Sequence, residues 1–180
     1  MLRISTRKIA FAGVIGALYA ALTVGLNFIG YGPVQLRVAE ALCILPFFFP
    51  VSVWGVFIGC IVANLMSPYP LDIIVGPAAT LLAALCTMRL GRRGSGSLAV
   101  KAMACLPPVI INALFIGALI AYYMTGRGET DAFLAAFLIN GAQVGFGQLI
   151  VLYLIGLPLM VFLPRTNAFA KLSKNYNLSG

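Results

Sequence analysis

From Ala132 to Pro164 the chain carries no charged side chain, and from Ala102 to Gly126 it again carries none. A helix needs about 20 apolar residues to cross the hydrocarbon core of a bilayer. Runs of this length therefore predict membrane spans. In lipid the backbone must satisfy its own hydrogen bonds, so each span is expected to be helical. Composition agrees. Of the 180 residues, 62% are hydrophobic and 9% charged, where soluble domains average about 45–50% apolar and about 25% charged. A soluble fold of this size could not cover its surface with so few charges. The expected fold class is an all-α membrane protein, a single transmembrane domain over residues 1–180 with no room for a separate soluble catalytic domain.

Arg3, Arg7 and Lys8 precede the first apolar run, as in a secretory signal. That run is longer than a signal core of about 7–15 residues, and no small-residue cleavage site follows, so it reads as the first span. The stretch 38–66 is ambiguous between one long span and two short ones meeting near Pro46 and Pro50. Cytoplasmic loops carry an excess of Lys and Arg. With two spans, Arg3, Arg7, Lys8, Arg89, Arg92, Arg93, Lys101, Arg165, Lys171 and Lys174 share one side, against Arg37 and Arg127 on the other, a split of ten to two. With one span the best split is eight to four. The expectation is six transmembrane helices over about residues 9–29, 38–49, 51–66, 71–88, 99–124 and 132–163, with both termini cytoplasmic. The Gly- and Ser-rich segment 89–97 reads as a flexible inner loop. Pro107 and Pro108 can begin a helix, and Pro158 can bend one.

The net charge of +8 belongs to residues flanking spans, so topology and anionic lipid explain it better than nucleic acid. Cys43, Cys60, Cys86 and Cys105 lie in or beside apolar runs, form no C-x-x-C pair, and have no histidine to join them. A metal site has little to work with, and the thiols read as small buried hydrophobes. An enzyme is the weakest reading, since no nucleophile or paired-carboxylate constellation is evident. There is no phosphate-binding loop and no mid-membrane acid to relay protons, so uphill transport would draw its energy from another subunit.

The acids are Glu40, Asp72, Glu129 and Asp131. The last two belong to an outer loop and read as solvated charges. Glu40 and Asp72 sit among apolar residues at helix starts, where a charge faces a cavity or a partner, although for Asp72 the helix dipole is nearly as good an explanation. Asn27, Gln35, Arg37, Asn64, Asn140 and Gln143 are expected in the same outer half, Asn112 near mid-span and Gln148 deeper. Single polar residues at such depths are ordinary interhelical hydrogen bonds; this many on one side point to a solute pocket open to the outside. Tyr31, Phe28, Tyr69 and Tyr122 or Tyr123 are its aromatic walls, or equally an interfacial belt. On the first span Gly13, Ala17 and Ala21, and likewise Ala12, Gly16 and Ala20, repeat small residues at spacing four. Such faces admit another helix closely, either within the chain, where Gly55, Gly59 and Ala63 match them, or on an external partner.

The runs Tyr31-Gly-Pro-Val-Gln-Leu-Arg-Val-Ala-Glu40-Ala-Leu, Leu45-Pro-Phe-Phe, Gly59-Cys-Ile-Val-Ala-Asn64, Leu71-Asp72-Ile-Ile-Val-Gly76 and Ala79-Thr-Leu-Leu-Ala-Ala resemble the QueT family of queuosine-precursor transporters. These are substrate-binding S components of energy-coupling factor (ECF) importers. The resemblance implies six helices in a bacterial plasma membrane and a vitamin-like solute bound near the outer face. It implies no cofactor bound by this chain, with a transmembrane T subunit and two ATPases as partners that use ATP. A small-residue motif on the first helix would meet the T subunit, here Gly13 and Ala17, continued by Ala21. The implied solute is a 7-deazaguanine, such as the aminomethyl precursor of queuosine, or queuine. Glu40 would accept its guanine-like N–H groups, with Asp72 second. Gln35, Asn64, Asn140 and Gln143 would read its carbonyl and ring nitrogens, Arg37 would pair with Glu40 or meet the solute carbonyl, and Tyr31 would stack on the ring. The alternatives are an S component for another vitamin-like solute and a stand-alone secondary carrier, though no inverted repeat supports the latter.

Overall fold

The computed structural model describes residues 6–26, 36–93, 96–126 and 130–176. All regular structure among them is helical. The helices are α1 (Thr6–Gly25), a 3₁₀ helix (Val38–Phe47), α2 (Ser52–Asn64), α3 (Asp72–Arg93), α4 (Leu98–Ala104), α5 (Leu106–Met124), α6 (Thr130–Val151), a π turn (Leu152–Gly156), α7 (Leu157–Phe162), a 3₁₀ turn (Leu163–Arg165) and α8 (Asn167–Tyr176). Four stretches are long and apolar enough to cross a membrane: Thr6–Gly25, Asp72–Arg93, Leu98–Met124 and Ala132–Arg165. Val38–Phe47 and Ser52–Asn64 are apolar but shorter.

The stretch 38–66 divides into two helices, as its prolines and charge balance predict. The turn between them is closed by Phe49 N–H to Leu45 O at 2.8 Å and Ser52 N–H to Phe49 O at 2.9 Å. The first of the two is a 3₁₀ helix of 10 residues, where such runs rarely exceed 3–4. At about 2.0 Å rise per residue it extends only about 20 Å. Ala39 to Ile44 are all buried, and the segment packs against α1, α2 and α3. It is a core element enclosed by the longer helices.

Two expected boundaries move. The segment 89–97 is not all loop, because α3 continues to Arg93. Its end is held against the 3₁₀ helix at Gly91, where a Cβ would lie 2.2 Å from Phe47 O. Only glycine permits that approach, so the glycine that reads as loop material is a packing residue. Span 99–124 is two helices, α4 and α5, broken at Cys105, with prolines in the first turn of α5. Proline lacks an N–H, and the first turn is where none is needed. Near Pro158 the α6–α7 run loosens into the π turn. Proline cannot donate to the carbonyl one turn back, and the wider turn absorbs the mismatch.

Glycine also sets the helix crossings. Within α1, Gly16 packs on α2: a Cβ on Gly55 would lie 2.6 Å from Ala12 O, and one on Gly59 would lie 2.6 Å from Gly16 O. Gly117 of α5 meets Gly141 of α6, where a Cβ would fall 2.6 Å from the opposing Cα. One small-residue face of α1 is therefore consumed inside the chain. The other is not. Gly13, Ala17 and Ala21 are exposed, and a Cβ at Gly13 would meet nothing within 4 Å. A groove of about 430 Å³ runs along this side of α1, walled opposite by Trp54, Ile58 and Val62. Just before α2, Phe169 of α8 packs against Phe48 and Phe49 with ring centroids 5.3 and 5.2 Å apart.

Gly59→Val should lower the thermal unfolding midpoint of the purified protein in detergent, since overpacking costs about 1–3 kcal/mol. Gly13→Val should leave that midpoint within error of the unaltered protein.

Candidate functional site

Glu40 lies in the first turn of the 3₁₀ helix and is 0% exposed. An isolated buried carboxylate is costly unless it is hydrogen-bonded. Three side chains supply the bonds. Tyr19 of α1 donates its hydroxyl to Oε1 at 2.5 Å. Cys43, one 3₁₀ turn on, donates to Oε2 at 3.2 Å. Asn112 of α5 donates Nδ2 to Oε2 at 3.3 Å. The helix repeat brings Cys43 to Glu40, while packing brings the other two.

Beside this carboxylate lies a second group. Arg37, at the entry to the 3₁₀ helix, donates to Asn64 Oδ1 at 2.5 Å, and its charge acts on both Asp72 and Glu40. Asn64, in the last turn of α2, donates Nδ2 to the backbone carbonyl of Asp72 at 2.8 Å. Ser67 donates to Asp72 Oδ2 at 2.9 Å. Gly76, one turn into α3, makes room for this: a Cβ there would lie 2.1 Å from Asn64 Nδ2 and 2.6 Å from Asp72 Oδ1. Cys60 joins the group as acceptor from Thr80 Oγ1 at 3.3 Å. Cys43 and Cys60 are thus buried, as expected, yet serve as polar partners rather than as plain hydrophobes.

Of the residues expected in the site, Glu40, Arg37, Asn64 and Asp72 converge in this buried region. Asn140 does not join them by any bond of its own. Its Nδ2 donates to Ala136 O at 2.7 Å and to Met124 Sδ at 3.4 Å, on the α5–α6 seam. Gln143 is exposed. Spacing from the helix start gives the depth of Gln143, but the rotation of α6, set by glycine packing on α5, turns it out. Tyr31 and Gln35 lie outside the described residues. Tyr69 and Tyr123 pack with ring centroids 5.1 Å apart, and Tyr123 Oη accepts from the Leu71 backbone N–H at 3.2 Å, so this aromatic pair braces the start of α3.

Tyr19, Cys43 and Asn112 are hydrogen-bond partners of Glu40 that residue order alone does not assign to it. Asn112 was visible as a polar residue in mid-span. Tyr19, a hydroxyl among small apolar residues, was a weaker signal. Among the described residues, three buried acceptors remain unused. Asp72 Oδ1, Asn112 Oδ1 and Gln148 Oε1 are buried and have no hydrogen-bond partner, each a loss of about 1–3 kcal/mol if left so.

Apolar helices of spanning length around a buried, hydrogen-bonded polar region define an α-helical membrane protein with an internal polar site. Residues 9–165 match the QueT transporter family, and the chain belongs to that family. It is 39% identical over 84 residues to the queuosine precursor transporter QueT of Lactococcus lactis subsp. cremoris (strain MG1363), a match over 46% of this chain and 50% of that protein. The chain thus spans about half the length of the curated relative it matches. No solved structure matches the chain.

Tyr19→Phe removes one donor from Glu40, together with the contact of its hydroxyl with Cys60. Hydrogen bonds to charged groups contribute about 1.5–3 kcal/mol, so the variant should be less stable than the unaltered protein by that order, read as denaturant unfolding in detergent followed by circular dichroism.

Proposed function

We propose that this chain is the substrate-binding S component of an ECF importer, taking a queuosine precursor of the 7-deazaguanine class from the outer face of a bacterial plasma membrane. Membership of a transporter family supports a transport role over catalysis. The observation that carries the reading is Glu40: a fully buried carboxylate held by donors from three separate elements. A carboxylate so placed accepts N–H groups, and a guanine-like edge presents them. Asp72, with Oδ1 unpartnered, is suited to a cationic aminomethyl group. Arg37 and Asn64 position the two acids and meet the solute carbonyl.

On this reading the chain has six spans with both termini cytoplasmic, as the ten-to-two charge split supports, and the two short helices are shielded by their longer neighbours. Its small-molecule partner is the solute. Energy comes from ATP used by two partner ATPases acting through a transmembrane T subunit. The exposed Gly13, Ala17 and Ala21 face and its groove are the surface offered to that subunit, since small residues let a partner helix approach closely.

Calorimetry on the detergent-purified chain tests the solute reading. The unaltered protein should bind 7-deazaguanine, and Glu40→Gln should weaken binding about tenfold or more; an unchanged affinity sinks the assignment of Glu40. The partner reading is separate. Gly13→Leu should abolish co-purification of a T subunit and ATPases while leaving solute affinity unchanged, and retained co-purification would count against that face.

A further inference from the structure

Asn112 stands near the middle of α5 and is 1% exposed. Its two polar atoms have different fates. Nδ2 donates to Glu40 Oε2 at 3.3 Å. A carboxylate oxygen accepts and does not donate, so this contact fixes which end of the amide faces Glu40. The carbonyl end is turned away, and there Oδ1 is buried with no partner. Buried side-chain acceptors are satisfied in the large majority of folded proteins. One held unpaired by a neighbour that will not let the amide flip is a group prepared for a donor from elsewhere.

Glu40 is in a related condition. It accepts from Tyr19, Cys43 and Asn112, and an ionised carboxylate has about four acceptor positions. The free Oδ1 of Asn112 thus stands on a side chain in contact with this carboxylate. The neighbouring seam has the same character. Gln148 of α6 is 1% exposed and its Oε1 is unpartnered. Gly145, one turn earlier on that helix, approaches Ala113, the next residue after Asn112, so closely that its Cβ would lie 3.3 Å from Ala113 Cβ. The unused groups here are acceptors.

We infer that Asn112 is a specificity-determining residue of the solute site. Its Oδ1 accepts an N–H from the exocyclic amino group of the solute, while the adjacent Glu40 carboxylate accepts the neighbouring ring N–H. The pair selects an edge with two adjacent donors, as in a 2-amino-4-oxopyrimidine ring. It rejects an edge in which the amino group is replaced by C–H or by an acceptor, because Asn112 cannot turn its own donor outward without abandoning Glu40. The inference rests on the reading of Glu40 as solute ligand and adds a discriminating partner to it.

The test is calorimetric titration of the full chain in detergent with 7-deazaguanine and with 7-deazahypoxanthine, which lacks the amino group. The unaltered protein should prefer 7-deazaguanine by about tenfold or more. Asn112→Leu, of similar volume, should lose about that factor for 7-deazaguanine while changing little for 7-deazahypoxanthine, so that the preference collapses. An equal loss for both ligands shows Asn112 acting only by positioning Glu40 and overturns the inference. So does a preference that survives the substitution. Should Asn112→Leu fail to fold, the unaltered protein decides, since equal affinity for the two ligands also overturns it. An unaltered protein that binds neither ligand overturns the proposed function itself, whereas binding with no discrimination removes only the role of Asn112.

Discussion

The arrangement depends on one buried carboxylate. Glu40 lies in an apolar bundle with no exposed surface, and a charge in that position is tolerated only with good hydrogen-bond partners. Its donors come from α1, from its own 3₁₀ helix and from α5. Satisfying it therefore specifies how three elements meet. A shift of α1 along its axis would withdraw Tyr19, and a rotation of α5 would withdraw Asn112. The same contact that makes the bundle specific also concentrates polar chemistry at one point.

Close backbone approach makes that convergence possible. Glycines at positions 16, 55 and 59 bring α1 onto α2, and those at 117 and 141 bring α5 onto α6. Gly76 does the same at smaller scale, leaving the volume of a methyl group for Asn64 and Asp72 to share. Gly91 holds the end of α3 on Phe47. In lipid there is little hydrophobic drive between helices, so tight van der Waals packing and interhelical hydrogen bonds must hold the bundle together. The glycines supply the first and permit the second. On α1 the two functions are divided by face: Gly16 and Tyr19 turn inward, while Gly13 and Ala17 stay exposed. One helix thus carries both a partner of the internal carboxylate and an exposed face of small residues.

Much of this was legible from residue order alone. Uncharged runs longer than a bilayer is thick dictate membrane helices whatever their neighbours do. Proline chemistry is equally local, which is why the start of α5 and the disturbance before Pro158 fall where expected. The division of 38–66 followed from prolines and from a charge balance that needs no tertiary knowledge. Glu40 and Asp72 were identifiable because a charge among apolar residues is expensive in any arrangement. The 3₁₀ geometry was not legible, since a short apolar run with an internal proline does not announce its helical pitch, and neither was the continuation of α3 through Gly91, whose reason lies in Phe47.

What tertiary structure alone decided is azimuth. Spacing along a helix gives depth along its axis. It does not say which way each side chain points once helices pack. That rotation is set by contacts between distant residues, glycine against glycine on α1–α2 and α5–α6. It is what turned Gln143 out, kept Asn140 on its own seam, and brought Tyr19 and Asn112 to Glu40 across 21 and 72 positions of sequence. The sequence by itself determined that the chain belongs in a membrane and that it carries acids needing partners. Packing determined which partners they have, because a hydrogen bond depends on direction as well as depth.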